Sequence, residues 1–189
     1  MKVILASTSP RRKEILKKLG IDFDVMSPKC DENHTQTDPE EIVRELSQRK
    51  ANDVFAQINN DANAAIIAAD TIVFFDGKVL EKPAGKNEAF EMLTQLQNNW
   101  HTVYTGVTII KKGKISVFCE KADVHMRPVS DDEINRYIAT GKPLDKAGAY
   151  GIQDDECDFV DKIKGQLETV IGLPQKLSNN NYCLADFLN

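Results

Sequence analysis

No two cysteines of this 189-residue chain stand in a CxxC spacing, and its three histidines are isolated from one another. Both absences exclude a metal finger, whose tetrahedral site needs ligands in closely spaced pairs. Cys30, Cys119, Cys157 and Cys183 therefore read as buried small residues or spare thiols, which suits a reducing, cytoplasmic setting. A long hydrophobic run is missing as well. MKVILAST stays apolar for only a few residues before Ser-Pro-Arg-Arg, too short for a signal-peptide core or a membrane span, so the expectation is an intracellular protein with no membrane partner. Nor is there a surplus of positive charge: the net charge of -5 speaks against a general nucleic-acid binder, whose affinity comes from many Lys and Arg contacts to phosphate. An anionic small substrate would need a local basic site. There is no internal repeat, no low-complexity tract and no Gly/Ser linker. A hydrophobic content of 41% with 28% charged residues fits one compact domain, or two small lobes sharing a core.

The pattern that remains is mixed α/β around a single long sheet. Lys2 to Ala6 predicts a short buried strand, Arg11 to Leu19 a helix ending at Gly20, and the stretch through Phe23 and Val25 a second strand. Asp38-Pro39-Glu40-Glu41 supplies an N-cap, a first-turn proline and an acid at N3, and opens a helix to about Ile58 with Val43, Leu46, Lys50 and Val54 on its inner row. Ala65 to Phe75 is an apolar run broken by Asp70 and Thr71 and closed by the Asp76-Gly77 turn, the signature of a central strand. A helix near Glu88 to Leu96 precedes two β-rich stretches, Thr102 to Ile110 and Ile115 to Met126, joined at Lys111-Lys112-Gly113-Lys114 as a hairpin. Ser130 to Glu133 is a capping box for a helix ending at Gly141; the chain is then loop-rich through Tyr150, and a last helix is expected after Gly172-Leu173-Pro174.

Several residues break these patterns in ways that point to chemistry. Ser9 and Pro10 suit a cap and first turn, but Arg11 and Arg12 place cations against the positive end of the helix dipole, at a cost of about 0.3–1 kcal/mol each. A bound anion reverses that cost, and hydroxyls, helix amides and two guanidinium forks together make a polyphosphate cradle. A solvated basic turn explains the same residues. Asp70 stands where a buried strand should carry Val or Ile and needs a partner or a metal, unless it caps the amides of a neighbouring loop. Lys50, on an apolar row, must either snorkel outward or enter a cleft holding negative charge. Lys82 follows the Asp70 strand on the Glu81-Lys82-Pro83-Ala84-Gly85 loop, where a lone lysine is an ordinary surface charge. The run Asp145 to Gln153 mixes charged residues with small ones that allow close backbone approach to a ligand, or a tight packed loop. Cys30-Asp31-Glu32-Asn33 offers carboxylates for Mg²⁺, or a solvated turn.

Ser7-x-Ser9-Pro10-Arg11-Arg12, Ala69-Asp70-Thr71, Glu81-Lys82-Pro83, Thr105-Gly106 and Asp145-Lys146-Ala147-Gly148-Ala149-Tyr150-Gly151-Ile152-Gln153, taken in this order, resemble the Maf nucleotide pyrophosphatase family. The resemblance spans nearly the whole chain. It implies one Maf-like domain over residues 1–189, an elongated α/β fold with a deep cleft between two lobes, similar to inosine triphosphate pyrophosphatases and often dimeric. It also implies hydrolysis of a nucleoside triphosphate between the α and β phosphates, with a divalent cation such as Mg²⁺, Mn²⁺ or Co²⁺. Carried over at the matching positions, Asp70 is the proton acceptor for water, and Glu32 assists in placing metal or water, so that these two are the metal ligands. Arg12, Lys50 and Lys82 neutralise the triphosphate, Ser7 and Ser9 complete the grip, and Arg11 also touches substrate.

Arg11, Thr71 and Gln153 resemble the subgroup acting on dTTP and UTP, with modified pyrimidine nucleotides as further substrates. Gln153 can offer a donor and an acceptor to the edge of uracil or thymine. Two departures stand out: the acidic loop Cys30-Asp31-Glu32-Asn33 is unusual, and Asp154-Asp155-Glu156 adds negative charge directly after Gln153, where it could alter metal demand or base preference. The rival reading is a nucleotide-binding regulator of septum formation without turnover; the intact Asp70 speaks against it.

Overall fold

The computed structural model describes residues 1–177 and 182–188. The elements follow in the order β1 (Lys2–Leu5), α1 (Pro10–Lys18), β2 (Asp24–Val25), α2 (Pro39–Gln57), β3 (Ala64–Phe75) and β4 (Lys78–Leu80). They continue with α3 (Lys86–Leu96), β5 (Trp100–Lys111), β6 (Lys114–Met126), α4 (Asp131–Ala139), β7 (Val160–Lys164), α5 (Leu167–Ile171), β8 (Lys176–Leu177) and β9 (Tyr182–Cys183). A seven-stranded mixed sheet runs β2-β1-β3-β5-β6-β7, and β4 pairs with β3. The mixed α/β class and its flanking helices are as the sequence predicts.

The strand β1 lies parallel to both β2 and β3, with Ile4 opposite Asp24 on one side and Ile66 on the other. Side chains on both faces are buried over Val3 to Ala6 and Ala64 to Ala69, which is why these segments read as unbroken apolar runs. Burying Ile66 and Ile67 completely stabilises the sheet by roughly 1.5–3 kcal/mol each. At the far end of β3, Asp76 and Gly77 both take positive φ, at 49° and 74°, the geometry of a two-residue hairpin turn into antiparallel β4. Lys112 and Gly113, at 51° and 72°, repeat that turn between β5 and β6.

Two compact units emerge: Met1–Asp70, Thr105–Glu120 and Gly172–Asn189 form the first, Thr71–Tyr104 and Lys121–Ile171 the second. Strands β3, β5 and β6 each contribute to both. In the first unit, Ile4, Ala6, Ala51, Val54, Ile66, Ala68 and Ile110 pack together. The helix α2 starts as predicted, the Asp38 carboxylate accepting from the amides of Glu40 and Glu41 at 2.8 and 3.4 Å. It seats directly on β5: a Cβ at Gly106 would lie 2.1 Å from the Val43 carbonyl oxygen, so only glycine permits this approach. Beside it, Ser47 and Thr108 share a buried hydrogen bond of 2.9 Å. The second unit has its own core, in which Val73, Leu93, Val103, Met126, Tyr137 and Phe159 meet. Its helix α4 carries the predicted capping box, with Ser130 N donating to Glu133 Oε2 at 2.9 Å and Glu133 N to Ser130 Oγ at 3.4 Å.

Three local expectations are revised. The Ser9 hydroxyl makes no capping hydrogen bond although Ser9 is the N-cap of α1. Strand β7, antiparallel to β6, was not expected from the sequence; its VDKIK pattern is largely exposed and too short to announce itself. No helix follows Pro174 among the described residues: Lys176–Leu177 pairs with Tyr182–Cys183 instead, and a single 3-10 turn spans Leu184–Phe187. Residues 178–181 of that expected helix lie outside the described residues.

Two predictions follow from the packing. Gly106→Ala forces the new methyl against the Val43 backbone, which has no side-chain freedom with which to yield, and should destabilise by about 1–3 kcal/mol in urea unfolding; an unchanged midpoint would refute the close contact. His101 is buried, its Nε2 shares a 2.7 Å hydrogen bond with the Tyr150 hydroxyl, and its Nδ1 finds no partner among the described residues. Burial pulls its pKa down to about 4, with the nearby His125 adding to the effect and Asp123 opposing it. Between about pH 6.5 and 4 the unfolded chain then binds a proton that the folded chain refuses, so stability is full above that window and falls as the pH drops through it. Chemical denaturation at pH 7 and pH 4.5 should show a smaller acid loss for His101→Gln than for the wild type.

Candidate active site

The site begins at the turn out of β1. Buried Ser7 accepts a 3.2 Å hydrogen bond from Ser9 N and a 3.3 Å hydrogen bond from the Arg12 guanidinium. Arg12 Nε donates to the Gly172 carbonyl at 2.8 Å, so the side chain is held at both ends of its fork. Helix α1 has no acidic residue in its first turn, leaving Arg11 and Arg12 as the charges at its positive pole. Burial lowers the Arg12 pKa, the charge of Arg11 adds to that, and the carboxylates of Asp70 and Glu32 counter it. A guanidinium remains protonated regardless. What matters is that Arg12 shares an electrostatic field with both acids.

Those acids meet on one lysine. Lys50 is buried on the inner row of α2, and its Nζ lies 2.6 Å from Asp70 Oδ1 and 2.8 Å from Glu32 Oε1. Asp70 on β3 is as deeply buried as Lys50, whereas Glu32 comes from an exposed loop. The two open alternatives for Lys50 and Asp70 are thus settled: the lysine does not snorkel and the carboxylate does not cap a loop. Taking an ammonium and a carboxylate out of water costs several kcal/mol each, which only such close pairing offsets.

The loop carrying Glu32 is tied to the outer row of α2. Lys29 N donates to Asp53 Oδ2 at 2.7 Å, and Gln57 Nε2 donates to Asp53 Oδ2 at 2.8 Å and to the Ser27 carbonyl at 3.3 Å. Arg49 NH1 donates to the carbonyls of Asp31 and Asn33 and to Asp31 Oδ1 at 3.2, 2.6 and 2.9 Å, while NH2 pairs with Glu45 one turn earlier. These contacts were not foreseen. The signal was present in the i, i+4 row Glu45, Arg49, Asp53, Gln57, which is polar throughout.

The remaining predicted residues fall in the second unit. Thr71 follows Asp70 on β3, with its side chain directed to the opposite face by the strand pleat. Lys82 is exposed on its loop, beside the buried Pro83. Gln153 is exposed at the end of a loop packed tightly by its small residues: Gly148 N donates to the Glu81 carbonyl at 3.2 Å, and at Gly148, which lies at φ +66°, a Cβ would sit 2.9 Å from Val73 Cγ2. Of the three acids Asp154-Asp155-Glu156 that follow Gln153, Asp154 turns inward. Its Oδ2 accepts from the Tyr137 hydroxyl at 2.6 Å and lies 3.2 Å from Lys146 Nζ, and Tyr137 in turn accepts from Gly151 N at 3.0 Å. Asp154 thereby anchors the Gln153 loop.

Glu32 and Asp70 converge on one cation-sized point, now filled by Lys50 Nζ. Among the described residues no three His, Cys, Asp or Glu side chains gather as a complete metal cage. With Asp70 Oδ1 and Glu32 Oε1 both turned to Lys50, a magnesium-type ion would have to use the remaining oxygens of these two carboxylates, with water completing its shell. Among the same residues no helix is long and apolar enough to cross a membrane.

Among curated relatives, the dTTP/UTP pyrophosphatase of Thermosipho melanesiensis is 49% identical over 174 residues, covering 92% of each chain. The dTTP/UTP pyrophosphatase of Halalkalibacterium halodurans is 44% identical, covering 91% of this chain and 90% of its own. A solved nucleoside-triphosphatase, a dITP/XTP pyrophosphatase from Mycobacterium abscessus, aligns over 68% of this chain and 76% of its own at 14% identity, with a TM-score of 0.43. The Maf-like protein model matches residues 2–181. This chain, in which a Ser-Pro-Arg-Arg turn and a lysine-bridged Asp70 lie within that match, belongs to the Maf family.

Proposed function

We propose that this chain is a nucleoside triphosphate pyrophosphatase that hydrolyses dTTP and UTP to the monophosphate and pyrophosphate. The observation that carries the reading is the bridge from Lys50 to Asp70 and Glu32 beside the Arg12 fork. The relatives' names support turnover rather than binding alone. They also support a pyrimidine substrate, and modified pyrimidine nucleotides share the edge that Gln153 would read. We read residues 1–189 as one domain of two lobes, supported by the three strands common to both units, and as a cytoplasmic homodimer that needs neither nucleic acid nor membrane.

Asp70 accepts the proton of a water that attacks the α-phosphorus. As the new P–O bond forms, the bond to the bridging oxygen breaks and its electrons leave with pyrophosphate. Lys50 commits Asp70 Oδ1 to one direction, leaving the second oxygen to receive the proton. Ser7, Ser9, Arg11, Arg12 and Lys82 hold the phosphates and meet the charge that moves toward the leaving group, which is where fixed cations lower the barrier. A divalent ion such as Mg²⁺, Mn²⁺ or Co²⁺, held by Asp70 and Glu32, would supply further neutralisation of phosphate charge. Thr71 and Gln153 select the base.

Asp70→Asn should lower kcat for dTTP and UTP by at least about 100-fold, followed as pyrophosphate released, because the amide cannot take the proton. Turnover within a few-fold of wild type would eliminate Asp70 as the base and with it this mechanism. Gln153→Ala should narrow the preference for UTP over CTP by about tenfold in kcat/KM, the worth of one good hydrogen bond, and leave pyrophosphate release from CTP nearly unchanged. An unaltered UTP-to-CTP ratio would take base selection away from Gln153.

A further inference from the structure

Arg49 lies one residue before Lys50 on α2, and its guanidinium faces the acidic loop rather than the core. We infer that Arg49 is the positioning residue for Glu32: it grips the chain on both sides of that residue and sets the carboxylate against Lys50. The inference rests on the assignment of Glu32 to the reaction made above.

The geometry is a bracket. NH1 reaches the carbonyl of Asp31 at 3.2 Å and the carbonyl of Asn33 at 2.6 Å, the residues on either side of Glu32. It also reaches Asp31 Oδ1 at 2.9 Å, and that same oxygen accepts from Asn33 N at 3.1 Å, closing a small turn around Glu32. Glu45, one helical turn back, holds NH2, so the fork cannot swing away along the helix. The Arg49 and Glu45 side chains are 29% and 34% exposed, sheltered enough for the pairing to hold a fixed geometry. Glu32 itself has a side chain 53% exposed. Its carboxylate meets Lys50 at one end, and the backbone on either side of it sets where that half-exposed side chain starts from. One planar guanidinium can donate along several directions in a plane at once, whereas the ammonium of a lysine is a point charge that cannot span the two carbonyls and Glu45 together. Since Lys50 follows Arg49 directly, one turn of α2 fixes both the lysine and the acid that it meets.

The test uses Arg49→Ala, Arg49→Lys and Glu32→Gln in the full chain, alone and combined. Arg49→Ala is expected to lower kcat for dTTP by about 10- to 100-fold, with KM changed far less, as when a reacting group is held out of register. Arg49→Lys is expected to stay within about threefold of Arg49→Ala. In the Glu32→Gln background Arg49→Ala should cost nothing further, because the group it positions is already gone. A purely stabilising role would lower activity equally in both backgrounds, and that result overturns the inference, as does an Arg49→Ala enzyme that matches wild type. Amide hydrogen exchange gives a readout independent of turnover: exchange across residues 29–34 should quicken in Arg49→Ala while β1 and β3 stay protected. Unchanged exchange there overturns the inference even if activity falls. If wild type releases no pyrophosphate from dTTP or UTP, the proposed function fails, and hydrogen exchange alone still decides whether Arg49 orders the loop.

Discussion

An ammonium buried on the inner row of a helix must meet negative charge where it ends, or the unfolded chain keeps it in water at lower cost. Lys50 satisfies this by lying between Asp70 and Glu32, and much of the first unit is arranged around that condition. The helix must approach the sheet closely enough for a lysine to reach β3, and Gly106 allows that by offering the Val43 carbonyl no Cβ to strike. The carboxylate must then face α2 from a buried strand, which the alternation along β3 supplies at Asp70. The second acid comes from outside the core, on a loop that the same helix holds. Nothing in this arrangement is an efficient way to stabilise a fold, since apolar side chains of similar volume would do as well without the desolvation cost. In the mechanism proposed above, that cost is returned by a reaction that needs an oriented carboxylate beside fixed cations.

Much of the framework was legible because it rests on local rules. Asp38 capping α2, the Ser130 box of α4 and the two-residue turns at Asp76-Gly77 and Lys112-Gly113 depend on neighbours in sequence, and all four form as the residues dictate. The apolar run of β3 announced a central strand, and its one acid called for a partner, which Lys50 supplies. Where the sequence misled, a distant partner decided the outcome. Strand β7 exists because β6 offers it a ladder, not because VDKIK demands one. The proline at 174 looked like a helix start, yet Lys176–Leu177 finds a strand partner at Tyr182–Cys183. Ser9 was a credible cap, but its amide turns to Ser7, whose hydroxyl also receives Arg12.

Asp154 illustrates how the same limit applies to charge. Three acids in a row after Gln153 read as a negative patch, because sequence counts charges without showing where they point. In the folded chain Asp154 accepts from Tyr137 and pairs with Lys146, which packs over Gly151 so closely that a Cβ there would lie 2.6 Å from Lys146 Cε. Its charge is consumed in holding the loop. One of the three acids thus steadies the residue next to it.

The helix α2 carries this logic furthest. With 3.6 residues per turn, rows three or four apart share a face. Val43, Leu46, Lys50 and Val54 look inward, while Glu45, Arg49, Asp53 and Gln57 look toward the loop 27–33. A polar outer row is usually read as solvation, and the amphipathic pattern alone offers no reason to read it otherwise. Here every member of that row bonds to the loop or to another member, so the outer face is a template for the segment bearing Glu32. The two acids that meet at Lys50 belong to a deeply buried strand and an exposed loop, elements with very different intrinsic order. A single helix whose inward row touches one and whose outward row binds the other brings them to a common point, because the spacing between its two faces is set by the backbone and not by any flexible side chain.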